Sequence, residues 1–172
     1  IPEGINLTNI TTGIVYDNDG SFSHVPTRVY IEDGRYYAEI NSLTNSNYSV
    51  IWNPVNIKSV TNHWSEEAVT DMASRLVIKD PKDFLPDESI TRGEFAEYIT
   101  KALGIYRSIE NNTQKFTDVK STHDLSNAIE IASEYGIING YPDNSFKPYE
   151  NIKREEAMVM YARAMDISNL KN

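Results

Sequence analysis

The 172-residue sequence predicts an α+β chain: a small strand-rich N-terminal segment over residues 1–55, then mainly helical repeats over 56–108 and 109–172. Three observations carry this. The hydropathy period changes from alternation to helical spacing near residue 56. The first 55 residues hold two hairpin-turn signals. The remainder says the same thing twice. Ala68-Val69-Thr70-Asp71-Met72-Ala73 is echoed some sixty residues later by Ala128-Ile129-Glu130-Ile131-Ala132-Ser133. Phe84-Leu85-Pro86 returns as Phe146-Lys147-Pro148, and Ile90-Thr91-Arg92-Gly93-Glu94 as Ile152-Lys153-Arg154-Glu155-Glu156. Such self-similarity marks a supersecondary unit that cannot bury its own apolar face alone.

In the N-terminal segment, Asn18-Asp19-Gly20 and Glu32-Asp33-Gly34 are the turn signals. Thr27-Arg28-Val29-Tyr30-Ile31 alternates, while Tyr36-Tyr37-Ala38-Glu39-Ile40 and Tyr48-Ser49-Val50-Ile51-Trp52 are rich in strand formers. So short a segment is the end of a larger β module or packs on the helices that follow. Asp17-Asn18-Asp19-Gly20 starts like a calcium loop, yet the twelfth position is Arg28 where a bidentate Glu is needed, so it reads as a turn. Asn6, Asn9, Asn47 and Asn111 match a glycosylation acceptor pattern.

Each repeat reads as helix, long loop, helix. The first opens after Trp64 with Ser65 as N-cap, Glu66 and Glu67 in the first turn, and an apolar stripe of Ala68, Met72, Ala73 and Leu76. Asp80-Pro81 and Pro86-Asp87 break it. Thr91 and Glu94 then form a capping box, with Ile90 and Phe95 as a staple. Phe95, Tyr98, Ile99, Ala102 and Leu103 make the predicted buried face. Ala157, Met160, Tyr161, Ala164 and Met165 are their counterparts. Residues 105–115 form a polar linker.

Net charge of −9 and the lack of any basic run argue against nucleic acid. No stretch is apolar enough to span a bilayer. With no cysteine, and with His24, His63 and His123 scattered, the sequence calls for no metal and no cofactor. No nucleophile elbow or phosphate loop appears, and the expectation is a non-enzyme. The start at Ile1-Pro2-Glu3 suggests a processed or excised piece of something longer.

Phe116-Thr117-Asp118-Val119, Gly136-Ile137-Ile138-Asn139-Gly140-Tyr141-Pro142-Asp143, Phe146-Lys147-Pro148 and Arg154-Glu155-Glu156 together resemble an S-layer homology (SLH) repeat. His63-Trp64, Phe84-Leu85-Pro86 and Ile90 to Phe95 resemble the same repeat, so the likeness covers roughly residues 57 to 167. Residues 21–48 are similar to the end of β modules that precede such repeats. The resemblance implies non-covalent anchoring to secondary cell-wall polysaccharide, typically through a pyruvylated sugar. It implies secretion to the cell wall or surface layer of a bacterium with a Gram-positive-type envelope. The family commonly sets three repeats around a pseudo-threefold axis and uses a Thr-Arg-Ala-Glu stretch to meet the acidic sugar. That stretch maps onto Thr91 to Glu94 and Lys153 to Glu156. The first repeat departs from the pattern at Leu76-Val77-Ile78-Lys79-Asp80, and the second places Asp124 where the family has Trp.

The candidate carbohydrate-binding residues are Arg92, Arg154, Trp64, Tyr141 and Asp143, with Thr91, Glu94 and Glu156 as structural caps. A cation in the first turn of a helix opposes the macrodipole, which makes sense beside an anion. Guanidinium adds a fork that fits a carboxylate. The competing reading pairs each Arg with a neighbouring Glu or leaves it solvated. Trp64 stacks on a sugar or packs at the helix entry. The partners are the wall polysaccharide and the chain itself, as an oligomer or against a third repeat. Two other functions fit the sequence: a protein–protein or self-assembly module of a surface layer, and the non-catalytic tail of a secreted polysaccharide-degrading enzyme.

Overall fold

The computed structural model describes residues 10–17, 20–42, 46–109 and 113–168. Five strands precede four helices, giving the α+β class predicted. The chain divides into two compact units, Ile1–Glu88 and Ser89–Asn172. The division falls inside the first repeat, so the packing unit and the sequence repeat are different objects.

In the first unit β1 (Thr12–Tyr16) is the centre of an antiparallel sheet, between β2 (Phe22–Val25) and β5 (Asn47–Ile51). β3 (Thr27–Glu32) and β4 (Arg35–Ile40) make a separate two-stranded ribbon. Pro26 lies between β2 and β3 and carries no ladder donor, which suits a strand leaving one sheet for another. Asp33 and Gly34 both have positive φ (49° and 73°), the mirror-image turn that matches strand twist. Asn18 and Asp19 of the first turn lie outside the described residues, as do Asn6, Asn9 and Asn111. The Gly20 amide donates to the Asp17 carbonyl at 3.0 Å across that turn. The sequence reading passes over β1 and β2 as elements, yet Ile14, Val15 and Val25 are among the most buried residues of the chain. Gly13 is the reason β1 can sit centrally. A Cβ there would lie 2.5 Å from the Thr27 Oγ1 that its own amide binds.

A second small core in this unit joins Ile57, Val60, Ala73 and Ile78, with Val55, Val69 and Phe84 against it. It holds α1 (Glu66–Ser74). Ser65 precedes α1 but makes no side-chain cap. Its hydroxyl pairs with His63 Nδ1 at 2.7 Å. The predicted stripe is also turned: Ala73 is buried, whereas Ala68 and Met72 face solvent. Val69 packs in their place against the core that Ala73 and the loop residue Ile78 share. Leu76 adopts φ 63°, where its counterpart Gly136 has φ 69°.

The second unit contains α2 (Arg92–Ala102), α3 (Ser126–Glu134) and α4 (Arg154–Ile167) around the larger core. Phe146, Ile129, Ile137 and Ile138 are essentially sealed from water. Thr91 and Glu94 form the predicted reciprocal capping box. On α2 the buried face centres on Ala96, Ile99 and Thr100, with Phe95 and Leu103 partly covered and Ala102 exposed. On α4 only Met160 and Ala164 are buried, and Tyr161 is 57% exposed. α2 thus lies deep between neighbours and α4 lies at the margin. The predicted polar linker also contributes to the core through Ile105, Tyr106 and Ile109.

Candidate functional site

The loop from Gly140 to Glu150 links α3 to α4 and meets the start of α2. Asp118 fixes it by accepting the Phe146 and Lys147 amides at 2.8 and 2.7 Å. In the first repeat the corresponding tie is the Ser59 hydroxyl donating to the Phe84 carbonyl. Asn144 and Lys147 turn the loop with positive φ. Asp143 accepts from the Ser145 amide and hydroxyl at 3.0 and 2.7 Å. These bonds hold its exposed carboxyl below the ordinary aspartate range. Gly140 passes so close to Phe116 that a Cβ would stand 2.5 Å from its ring.

Arg92 enters this loop and is 5% exposed. Its Nε donates to the Phe146 carbonyl at 2.9 Å, and its Nη1 to Glu156 Oε1 at 2.9 Å. The guanidinium lies 4.8 Å from the Tyr141 ring centre and equally far from Phe146. The backbone follows the same path: the Arg92 amide donates to Glu150 and the Gly93 amide to Pro148, at 2.9 and 3.0 Å. The sequence argument assigns Arg92 to an external anion beside open amides. The structure instead pairs it with a neighbouring Glu, and the amides of α2 are already satisfied within the chain.

Glu156 is the hub. Oε1 also accepts the Tyr141 hydroxyl at 2.8 Å, and Oε2 accepts the Lys153 amide at 3.1 Å, closing the start of α4. Burial pushes its carboxyl up, but the bonds from Tyr141, Lys153 and Arg92 outweigh burial and leave it below the usual range. Tyr141 shifts the other way, raised first by burial and then by its bond to Glu156. The Tyr141 ring also has Lys147 Nζ 4.9 Å from its centre.

Arg154 begins α4 as Arg92 begins α2, but its surroundings are different. It is exposed. Among the described residues its side chain has no ion pair, and neither its amide nor that of Glu155 has a backbone acceptor. Lys153 and the Tyr141–Lys147 pair are joined through Glu156 at the first turn of α4, the helix that Arg154 begins. Trp64 lies in the other unit. Where packing at the helix entry is the commoner use of tryptophan, here the indole is 90% exposed, its ring centre 5.4 Å from that of His63.

No group of three or more His, Asp or Glu able to hold a metal occurs among the described residues. No described helix is long and apolar enough to cross a membrane.

Residues 57–96 and 115–158 match the S-layer homology domain. The chain is 39% identical over 87 residues to a surface layer protein of Brevibacillus choshinensis, covering 48% of this chain and 8% of that one. It is 34% identical over 109 residues to a cellulosome-anchoring protein of Acetivibrio thermocellus, covering 61% and 24%. It is 32% identical over 127 residues to an exoglucanase, XynX, of Acetivibrio thermocellus, covering 73% and 11%. The chain therefore spans less than a quarter of the length of each of these relatives. No solved structure matches it. Two matched segments, each a helix, a tied loop and the start of a second helix, place this chain in the S-layer homology domain family.

Proposed function

We propose that this chain anchors its parent protein non-covalently to the bacterial cell wall by binding an acidic, pyruvylated secondary wall polysaccharide at the first turn of α4. The SLH segments are a non-catalytic module of a secreted surface protein, from a bacterium with a Gram-positive-type envelope. The observation that carries the proposal is the exposed Arg154 at the start of α4, where among the described residues the first amides have no backbone acceptor, in the same turn as Lys153 and the Glu156 that holds Tyr141. An aqueous carboxylate there meets backbone donors, the positive helix end and a planar guanidinium fork together. Arg92 contributes by holding Tyr141 and Glu156 in place, and Trp64 offers a separate ring for a sugar face. Because the whole chain is acidic, recognition is local and shape-dependent rather than long-range.

A surface-layer protein and an exoglucanase share this segment, so the module is read as an anchor whatever it carries, and a tail on a polysaccharide-degrading enzyme is one form of that reading. Calorimetry against purified wall polymer tests it. Arg154→Ala should weaken binding about ten- to hundredfold, the loss of one charge-assisted bidentate contact, while leaving the melt unchanged. Arg154→Lys should recover only part of the affinity. Equal affinity for native polymer and polymer stripped of its pyruvyl groups would remove the acidic sugar from the proposal.

A further inference from the structure

Asp80 and Pro81 end the apolar run that follows α1, and the wall-binding site makes no use of them. Theirs is the only Asp–Pro bond in the sequence, since every other proline follows a residue without a carboxyl. Asp80 is exposed and holds φ 50° and ψ 55°, in the left-handed region. That conformation is costly for any residue with a Cβ. The residue before a proline is also pushed away from helical ψ by the ring Cδ. In the second repeat the equivalent bond joins Gly140 to Tyr141, and neither residue has positive φ.

The strained residue carries the group that can cut its own peptide bond. The Asp80 side chain makes no cap to the short 3-10 turn Pro81–Asp83, and among the described residues it has no ion pair. Its main-chain carbonyl, by contrast, is engaged: the Asp83 amide donates to it at 3.0 Å. A donor fixed on that oxygen draws electrons from the carbonyl carbon and stabilises negative charge arriving on the oxygen. Pro81 shapes the outcome twice. Its nitrogen has no hydrogen, so it cannot close on the side chain to form a succinimide. As a tertiary amide nitrogen it also takes a proton more readily, and then leaves more easily, than the amide nitrogen of other residues.

We propose that Asp80–Pro81 is a self-cleavage site, at which the Asp80 carboxylate breaks its own peptide bond in mildly acidic water. A side-chain oxygen attacks the Asp80 carbonyl carbon and closes a five-membered cyclic anhydride. The bond from that carbon to the Pro81 nitrogen breaks as the nitrogen takes a proton from solvent. Water then opens the anhydride. The net change is one water added, with a new carboxyl terminus at Asp80 and a new amino terminus at Pro81. Both reacting groups belong to one residue, so attack is intramolecular, and cleavage releases the left-handed strain. The cut leaves all of the unit Ser89–Asn172, and the wall site with it, on the second fragment. Phe84 packs on the core of Ile57 and Val60, and its carbonyl accepts the Ser59 hydroxyl, so the nicked first unit stays together until denatured. Cleavage is independent of what the wall site binds.

The whole chain is incubated in mildly acidic buffer in which circular dichroism reports the native fold. Denaturing electrophoresis and mass spectrometry should then show two fragments, residues 1–80 and 81–172. A synthetic peptide of residues 76–86 gives the rate of the same bond without the fold. The native chain should be cut about tenfold faster, the strain of one left-handed residue expressed as a rate. Asp80→Ala and Pro81→Ala should each stay whole while melting as folded proteins. Asp80→Glu keeps the charge but must close a six-membered ring, and should be cut more slowly than the parent. A native chain cut no faster than the peptide would overturn the proposal. So would an Asp80→Ala variant cut at the parent's rate.

Discussion

Arg92 and Arg154 occupy the same place in the repeat and have opposite surroundings, which sets opposite expectations for their removal. Arg92→Ala strips a buried partner from Glu156, a donor from the Phe146 carbonyl and the cation between two rings. The expected cost is about 2–3 kcal/mol of stability, discounted from a fully buried pair because Glu156 keeps some solvent contact. A denaturant melt checks it. Residue chemistry alone gives a different answer, namely that losing a cation from a helix start is harmless, and it does so because burial of that cation depends on a loop over fifty residues away.

Trp64→Ala, by contrast, should leave the melt within about 0.5 kcal/mol and lower wall-polymer affinity if the ring meets sugar. The shifted carboxyl of Glu156 has its own signature. Its pKa is depressed on folding, so it stabilises above the ordinary carboxylate range, and that contribution is lost as pH falls through the folded value. The raised phenol of Tyr141 stabilises below its ordinary value and loses that contribution as pH rises through the folded one. Stability measured from neutral pH into acid should fall less steeply in Glu156→Gln than in the parent.

At the scale of elements, the helices were legible where local chemistry fixes them. The Thr91–Glu94 box predicted the start of α2 to the residue, since both partners lie within one turn. Which faces are buried was less legible. The predicted stripe on α1 put Ala68 and Met72 inward, but periodicity specifies a helix without specifying which neighbours arrive. The central strand β1 is hard to read because its apolar run is only Ile14-Val15-Tyr16, preceded by Thr12 and Gly13. Only the fold shows that Gly13 admits Thr27. Glycines in the loop carry comparable information. Gly140→Ala would drive a methyl group into Phe116 and the Ser145 carbonyl, with an expected loss of about 1–3 kcal/mol. Gly136→Ala, where φ is positive and the space is open, should cost only about 1 kcal/mol. Comparing the two melts separates crowding from backbone strain.

For the whole molecule, repetition revealed the family, yet the compact units do not follow the repeat. The second helix of the first repeat, α2, belongs to the same compact unit as the second repeat, its start bonded to Pro148, Glu150 and Phe146. A boundary drawn from sequence follows the period, whereas folding follows these long-range bonds. The difference can be measured. The two cores share no residue, one joining Ile57 to Ile78 and the other Ala96 to Ala164. Arg92→Ala should therefore lower hydrogen-exchange protection throughout α2, α3 and α4 and leave the amides of β1 and β5 as they are. Protection lost equally across both units would mean that they unfold as one. Loss confined to α2 would mean instead that the Arg92 socket is a local clasp and that α3 and α4 hold together without it.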